Sequence, residues 1–91
     1  MSKFSECAVI GTGLMGPQIA VALAFGAERI RIYDSDSAAL KNAVLIAQSY
    51  VAELAEHDLL DKAATKTILR KIEPASDLKH AIRDAEFVIE A

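Results

Sequence analysis

The chain has 91 residues, which is enough for one domain at most. Hydrophobic residues make up 53% of it and charged residues 25%, a balance that supports a globular core and argues against disorder. The formal net charge of −3 gives no indication of nucleic-acid binding, and the apolar runs are far too short to span a membrane.

The single cysteine, Cys7, excludes an internal disulfide and fits a reducing compartment. We interpret it as a small buried strand residue rather than a reactive thiol. No apolar signal segment is evident in residues 1–7. We therefore expect a cytoplasmic protein with no nucleic-acid or membrane partner.

The first predicted unit is a strand, a tight turn and a helix. An apolar run at residues 7–10 predicts a strand over residues 6–10, and the sequence Gly-Thr-Gly-Leu-Met-Gly follows it at residues 11–16. A helical pattern then covers residues 14–25, with Pro17 in its first turn and Gly26 placed to stop it. This context is typical of a turn that binds a dinucleotide.

The three glycines of the turn fit a pyrophosphate for three different reasons. Gly11 allows the backbone to turn sharply, Gly13 lets the chain approach the phosphates because it has no Cβ, and Gly16 lets the helix pack closely on the strand. The free N–H groups and the positive dipole end of the helix face the anion. We interpret Leu14 and Met15 as packing residues beneath the cofactor.

An acidic residue follows the second predicted strand, at residues 29–33. Asp34 lies 23 positions after Gly11, close to the roughly 20 expected for an acid that binds the adenosine ribose. Its carboxylate would repel a 2′-phosphate, and residues 35–37 offer no arginine or lysine to neutralise one. The sequence thus predicts NAD rather than NADP as the cofactor. The predicted contacts are Gly11, Thr12, Gly13, Leu14, Met15, Gly16 and Asp34. A glycine turn with no ligand is the alternative, but it does not explain the acid.

Two helices form a predicted hairpin after the second strand. Residues 37–56 predict a long helix capped by Ser35 or Asp36, and residues 62–71 predict a shorter one. The long helix carries apolar residues spaced by four, three, four and three positions, which indicates a seam for packing on another helix. These residues are Leu40, Val44, Ala47, Val51 and Leu54.

The last elements complete half of a parallel sheet. Residues 72–74 predict a very short strand cut off by proline, Ser76 is a candidate cap for a short helix reaching Arg83, and residues 86–90 predict a fourth strand. The predicted fold class is α/β, a Rossmann-type doubly wound parallel sheet with an inserted helical hairpin. We interpret residues 1–91 as the first half of such a sheet plus one strand, the amino-terminal portion of a longer protein or a shortened form of one.

The remaining polar residues give no second site. His57 and His80 are the only histidines, and with one cysteine they do not make a zinc site. The carboxylates at positions 53, 56, 58 and 61 are predicted to form a solvated face and helix termini. We therefore predict no catalytic and no metal-binding residue in the chain.

The chain resembles the 3-hydroxyacyl-CoA dehydrogenase family over essentially its whole length. The resemblance rests on residues 11–20 with their Met-Gly pair, on Tyr33-Asp34, on the long hairpin, on Ile-Glu-Pro at 72–74 and on Phe-Val-Ile-Glu-Ala at 87–91. The related β-hydroxyacid dehydrogenases share the Met-Gly feature, whereas Asp34 and the hairpin length favour the hydroxyacyl-CoA family.

The resemblance implies a reaction and its partners. A 3-hydroxyacyl-CoA and NAD⁺ would give a 3-oxoacyl-CoA and NADH, in fatty acid metabolism, with the full-length protein a homodimer. In that family a histidine paired with a glutamate takes the hydroxyl proton, and both lie beyond residue 91, so this chain alone is expected to be inactive. The family's hairpin reaches CoA with a basic side chain near its tip, but this chain has Tyr50 and His57 there. The alternatives are a non-catalytic dinucleotide-binding module and an NADP-dependent β-hydroxyacid dehydrogenase, the latter disfavoured by Asp34.

Overall fold

The computed structural model describes residues 4–13 and 15–91, and its centre is a parallel sheet of four strands. The strands lie in the order β3-β2-β1-β4, so the first strand is central and the chain crosses over it to form the fourth. Their bounds are β1 Phe4–Ile10, β2 Ala27–Tyr33, β3 Ile72–Pro74 and β4 Phe87–Glu90. This order confirms the predicted Rossmann-like half-sheet.

Four helices connect the strands, and aspartates begin three of them. The helices are α1 Gly16–Ala24, α2 Ser37–Glu56, α3 Lys62–Lys71 and α4 Leu78–Ile82. The side chains of Asp36, Asp61 and Asp77 accept hydrogen bonds from backbone N–H groups in the first turns of α2, α3 and α4. The predicted bounds of α2, α3 and β3 are confirmed, and Asp36 rather than Ser35 caps α2.

One prediction about a helix end needs correction, and one is confirmed. Ser76 was the predicted cap of α4, but Asp77 caps it, because the Asp77 carboxylate reaches the His80 N–H at 2.7 Å. Gly26 follows the end of α1, as predicted, and its backbone is not in the left-handed region. Among the described glycines only Gly11 has a positive φ. The last turn of α1 instead closes with the Gly26 N–H donating to the Leu23 carbonyl at 3.0 Å.

One face of the sheet carries the hydrophobic core. Alternate residues of the two central strands point to this face, and α1, α2 and α3 cover it. The strand residues are Cys7, Val9, Ile30 and Ile32, and the buried helix residues are Ala20, Val21, Ala24, Ala43, Ala47, Val51 and Ile68. The predicted seam of α2 is confirmed, with its other members half-buried against this cluster. Cys7 is 1% exposed, as predicted, and burial, helped by the Glu86 charge, raises its pKa.

The opposite face is covered by the short helix α4 and is held by ion pairs. Arg31 of β2 is only 7% exposed and its Nε donates to Glu73 Oε1 at 3.2 Å. Its Nη1 lies 3.5 Å from Glu6 Oε2 and donates to the His80 carbonyl of α4 at 3.4 Å. Asp84 Oδ2 is 3.7 Å from the same nitrogen. No described helix is long and apolar enough to cross a membrane.

Candidate dinucleotide site

The glycine turn and Asp34 meet because β1 and β2 are parallel and in register. Ile10 pairs with Tyr33 at the carboxyl ends of the two strands, so the residues after them leave the sheet side by side. The Gly11 N–H donates to the Tyr33 carbonyl at 2.8 Å, and Gly11 has a φ of +86°. This is the left-handed region, which glycine adopts without the cost that a side chain would add.

Two of the three glycines are required for close packing inside the protein. A Cβ on Gly16 would lie 2.9 Å from the Gly11 carbonyl oxygen, and a Cβ on Gly11 would lie 2.8 Å from the carbonyl oxygen of Ala91. Ala91 follows β4, and its N–H donates to the Ile10 carbonyl at 2.9 Å. The start of α1, the turn and the end of β4 are therefore packed together without room for a methyl group.

Gly13 differs from the other two glycines. A Cβ built on it would meet no protein atom within 4 Å, and its backbone does not have a positive φ. Nothing in the described part of the chain therefore requires glycine at this position. The backbone at Gly13 faces open space, where a ligand could approach it closely.

The amino end of α1 is also left open toward that space. No side chain caps it, and its first turn holds no acidic residue, whereas an aspartate caps each of the other described helices. Uncapped N–H groups and the positive end of the helix dipole favour an anion. The helix that follows the glycine turn is thus the one suited to hold a phosphate.

Asp34 is held by three hydrogen bonds. Its Oδ2 accepts from the backbone N–H of Thr12 at 3.0 Å and from the Thr12 hydroxyl at 2.8 Å. Its Oδ1 accepts from the backbone N–H of Asp36 at 2.8 Å. The Asp36 N–H, and then the two Thr12 donors, hold the pKa of the Asp34 carboxyl below its usual value. The carboxylate is therefore ionised at neutral pH.

A cavity of about 280 Å³ opens beside this carboxylate. Apolar and aromatic side chains share its wall with Asp34, an arrangement that suits a flat ring joined to a hydroxylated sugar. Its lining residues are Ile10, Gly11, Tyr33, Asp34, Ser35 and Leu78. The sequence did not predict Leu78 here, because only the packing of α4 on the sheet brings it to this edge.

The structure brings most of the predicted contact residues together. Gly11, Thr12, Gly13 and Asp34 lie at one edge of the sheet, and Gly16 begins the helix beside them. Leu14 lies outside the described residues. Met15 is 61% exposed at the start of α1. Its packing beneath the cofactor stays a prediction.

The other candidate residues form no second centre. The described residues include no group of three or more histidine, cysteine or acidic side chains that could hold a metal ion. His57 is exposed at the end of α2. His80 has a structural contact that the sequence did not indicate, since its Nδ1 accepts from the Ser76 N–H at 3.0 Å.

A parallel half-sheet with this glycine turn and this acid defines a Rossmann-like dinucleotide-binding domain. Comparison with known families and structures identifies it further. Residues 6–91 match the family described as 3-hydroxyacyl-CoA dehydrogenase, NAD binding domain. The chain belongs to this family.

Relatives of known sequence and structure agree with this assignment. A Caenorhabditis elegans protein described as a "probable 3-hydroxyacyl-CoA dehydrogenase" is 30% identical, across 100% of this chain and 31% of its own length. The crystal structure of 3-hydroxybutyryl-CoA dehydrogenase from Escherichia coli K12 is 31% identical with a TM-score of 0.82, covering 94% of this chain and 18% of that one.

Two further structures match as well. The (S)-3-hydroxybutyryl-CoA dehydrogenase from Ralstonia eutropha is 26% identical with a TM-score of 0.84, covering 94% of this chain and 30% of that one. A diketoreductase that acts on dicarbonyl compounds is 33% identical with a TM-score of 0.83, covering 100% of this chain and 32% of that one. The chain thus spans about a third of the length of the curated relative it matches.

Proposed function

We propose that this chain is the NAD-binding portion of an oxidoreductase that oxidises a 3-hydroxyacyl-CoA to a 3-oxoacyl-CoA. The observation that carries the proposal is the ionised Asp34 carboxylate beside an open glycine turn and an uncapped helix. Family membership and the substrates named for the bacterial relatives support the acyl-CoA part of it.

The residues present fit NAD part by part. The backbone at Gly13 and the first turn of α1 would hold the pyrophosphate, because both face open space and favour an anion. Asp34 would accept from the adenosine ribose, and the adjoining cavity would take the adenine. NAD, when bound, supplies the hydride acceptor. The chain's own contribution is to bind and orient it.

The same carboxylate is expected to set the choice of cofactor. We expect the protein to bind NAD more tightly than NADP, because the Asp34 charge repels a 2′-phosphate. Asp34→Ala should weaken NAD binding about tenfold, since a hydrogen bond to a charged group is lost. Isothermal titration calorimetry with both cofactors measures this difference directly.

Glu56→Ala is the matched control for that experiment. It removes one exposed carboxylate at the end of α2, away from the turn, so it should leave both affinities unchanged. Equal affinities of the unaltered protein for NAD and NADP would contradict the assignment of Asp34. If Glu56→Ala lost as much NAD affinity as Asp34→Ala, the loss would come from the change in net charge and not from the position of Asp34.

Catalysis is expected to need residues outside this chain. We propose that residues 1–91 are the amino-terminal portion of the domain and that the group accepting the substrate proton is supplied elsewhere. A general base must come within about 3 Å of the substrate hydroxyl. The described carboxylates at this edge are Asp34, which is assigned to the ribose, Asp36, which caps α2, and Glu90, which ends β4 opposite Ile10, and none of them is hydrogen-bonded to a histidine. The chain alone should therefore bind NAD but form no NADH from 3-hydroxybutyryl-CoA.

An absorbance assay at the NADH band tests that expectation. Turnover at the rate of an ordinary dehydrogenase by residues 1–91 would contradict it. A protein that binds NAD but gives no turnover even when joined to its following sequence would instead support a non-catalytic dinucleotide-binding module.

A further inference from the structure

The Asp34 carboxylate has little acceptor capacity left for a ligand. Both of its oxygens together offer about four lone-pair positions. Oδ2 takes two donors from Thr12, its N–H at 3.0 Å and its hydroxyl at 2.8 Å, and Oδ1 takes the Asp36 N–H at 2.8 Å. The position that stays open is on Oδ1, so the orientation of the carboxylate decides whether a ribose hydroxyl can reach it.

The Thr12 hydroxyl is the one donor in this arrangement that belongs to a side chain. The other two are backbone N–H groups that follow from the turn and from the residues leading into α2. An aspartate carboxylate rotates readily about its last torsion, which has broad energy wells. Without the hydroxyl, Oδ2 would keep a single donor and the carboxylate would be less firmly fixed.

We propose that Thr12 is a positioning residue, whose hydroxyl fixes Asp34 Oδ2 so that Oδ1 is presented to the adenosine ribose. This inference rests on the proposed NAD-binding function. Thr12 acts through Asp34, and its contribution is pre-organisation, because the ligand does not have to order the acceptor that it uses. Its hydroxyl thereby strengthens the preference for NAD, whose free 2′-hydroxyl can donate to Oδ1.

A pair of variants separates the hydroxyl from the shape of the side chain. Thr12→Val keeps the branched shape and the backbone N–H but removes the hydroxyl, whereas Thr12→Ser keeps the hydroxyl. By calorimetry, Thr12→Val should bind NAD about 3- to 10-fold more weakly, because the ligand then has to immobilise the Asp34 side chain itself, and Thr12→Ser should bind like the unaltered protein. NADP affinity should be low and similar in all three, because the Asp34 charge is kept.

A second measurement needs no ligand. The Asp34 carboxyl can be titrated by carbon NMR in the free protein. Donors to a carboxylate favour its ionised form and lower its pKa, so removing one should raise the pKa toward its usual 3.8 in Thr12→Val and leave it lowered in Thr12→Ser. Thr67→Val is the matched control, since it removes a hydroxyl that bonds only within α3, to the Ala63 carbonyl.

The outcomes distinguish this inference from the function on which it rests. If the unaltered protein binds NAD and Thr12→Val binds it equally well, the positioning role is wrong and the proposed function stands. Weak binding by Thr12→Ser together with Thr12→Val would also overturn the role, because the hydroxyl would not be the cause. If the unaltered protein does not bind NAD, the proposed function fails, and the inference fails with it even if the pKa of Asp34 moves as described.

Discussion

Gly13→Val is expected to abolish NAD binding while the chain keeps its fold. The backbone at Gly13 faces open space and has no positive φ, and a Cβ built there meets no protein atom within 4 Å, so the fold has room for a side chain. That space is where the pyrophosphate would approach the turn, and the side chain would fill it. We expect the NAD affinity to fall by roughly 100-fold or more, which corresponds to about 2.8 kcal/mol of binding free energy. Calorimetry measures the NAD affinity, and circular dichroism shows whether the fold is kept.

Gly26→Val is the matched control. Gly26 also has open space around its Cβ position, but it lies at the far end of α1, away from the turn. The same substitution there should leave NAD binding unchanged. Near-normal NAD affinity in Gly13→Val would show that the cofactor does not sit on this turn.

Gly11→Ala is expected to have the opposite phenotype, a loss of stability. Its φ of +86° is unfavourable for alanine, and its Cβ would lie 2.8 Å from the Ala91 carbonyl oxygen, which is backbone and cannot easily move. Strain of this kind and the accompanying shift of β4 should lower the free energy of unfolding by about 2–4 kcal/mol. Urea denaturation followed by circular dichroism measures it.

Two further alanine variants test the cause of that loss. Gly16→Ala, with a clash of 2.9 Å against the Gly11 carbonyl but no positive φ, should be destabilised to a smaller extent. Gly26→Ala should be unaffected, because nothing lies near its Cβ. If Gly11→Ala unfolds at the same urea concentration as the unaltered protein, the close packing of the turn against Ala91 does not contribute to stability.

The sequence predicted best those features that depend on neighbouring residues. The bounds of α2 and α3 follow from local sequence, and the structure has both helices as predicted. Asp36 is one of the two predicted caps of α2, whereas the Asp61 cap of α3 is a finding of the structure. The turn and Asp34 could be predicted together, because parallel strands of similar length end at one edge of the sheet. Their role in binding a cofactor is still a prediction.

Features that depend on distant residues could not be predicted. Ala91 reaches Gly11 only because β4 pairs with β1, and Leu78 reaches the Asp34 cavity only because α4 packs on the sheet. The Asp34–Thr12 bond likewise joins residues 22 positions apart.

One local feature could not be predicted either. Ser76 and Asp77 are both good helix caps, and local sequence does not decide between them.

The glycine turn is short in sequence, but its conformation depends on contacts with residues outside it. The Gly11 N–H donates to the carbonyl that ends β2, Thr12 donates to Asp34, and the residue that follows β4 packs closely against Gly11. These partners arrive only when both neighbouring strands have joined β1. The glycine sequence alone therefore does not determine the conformation of the turn. If it were grafted into another protein without the two flanking strands, Gly11 and Thr12 would lose these contacts.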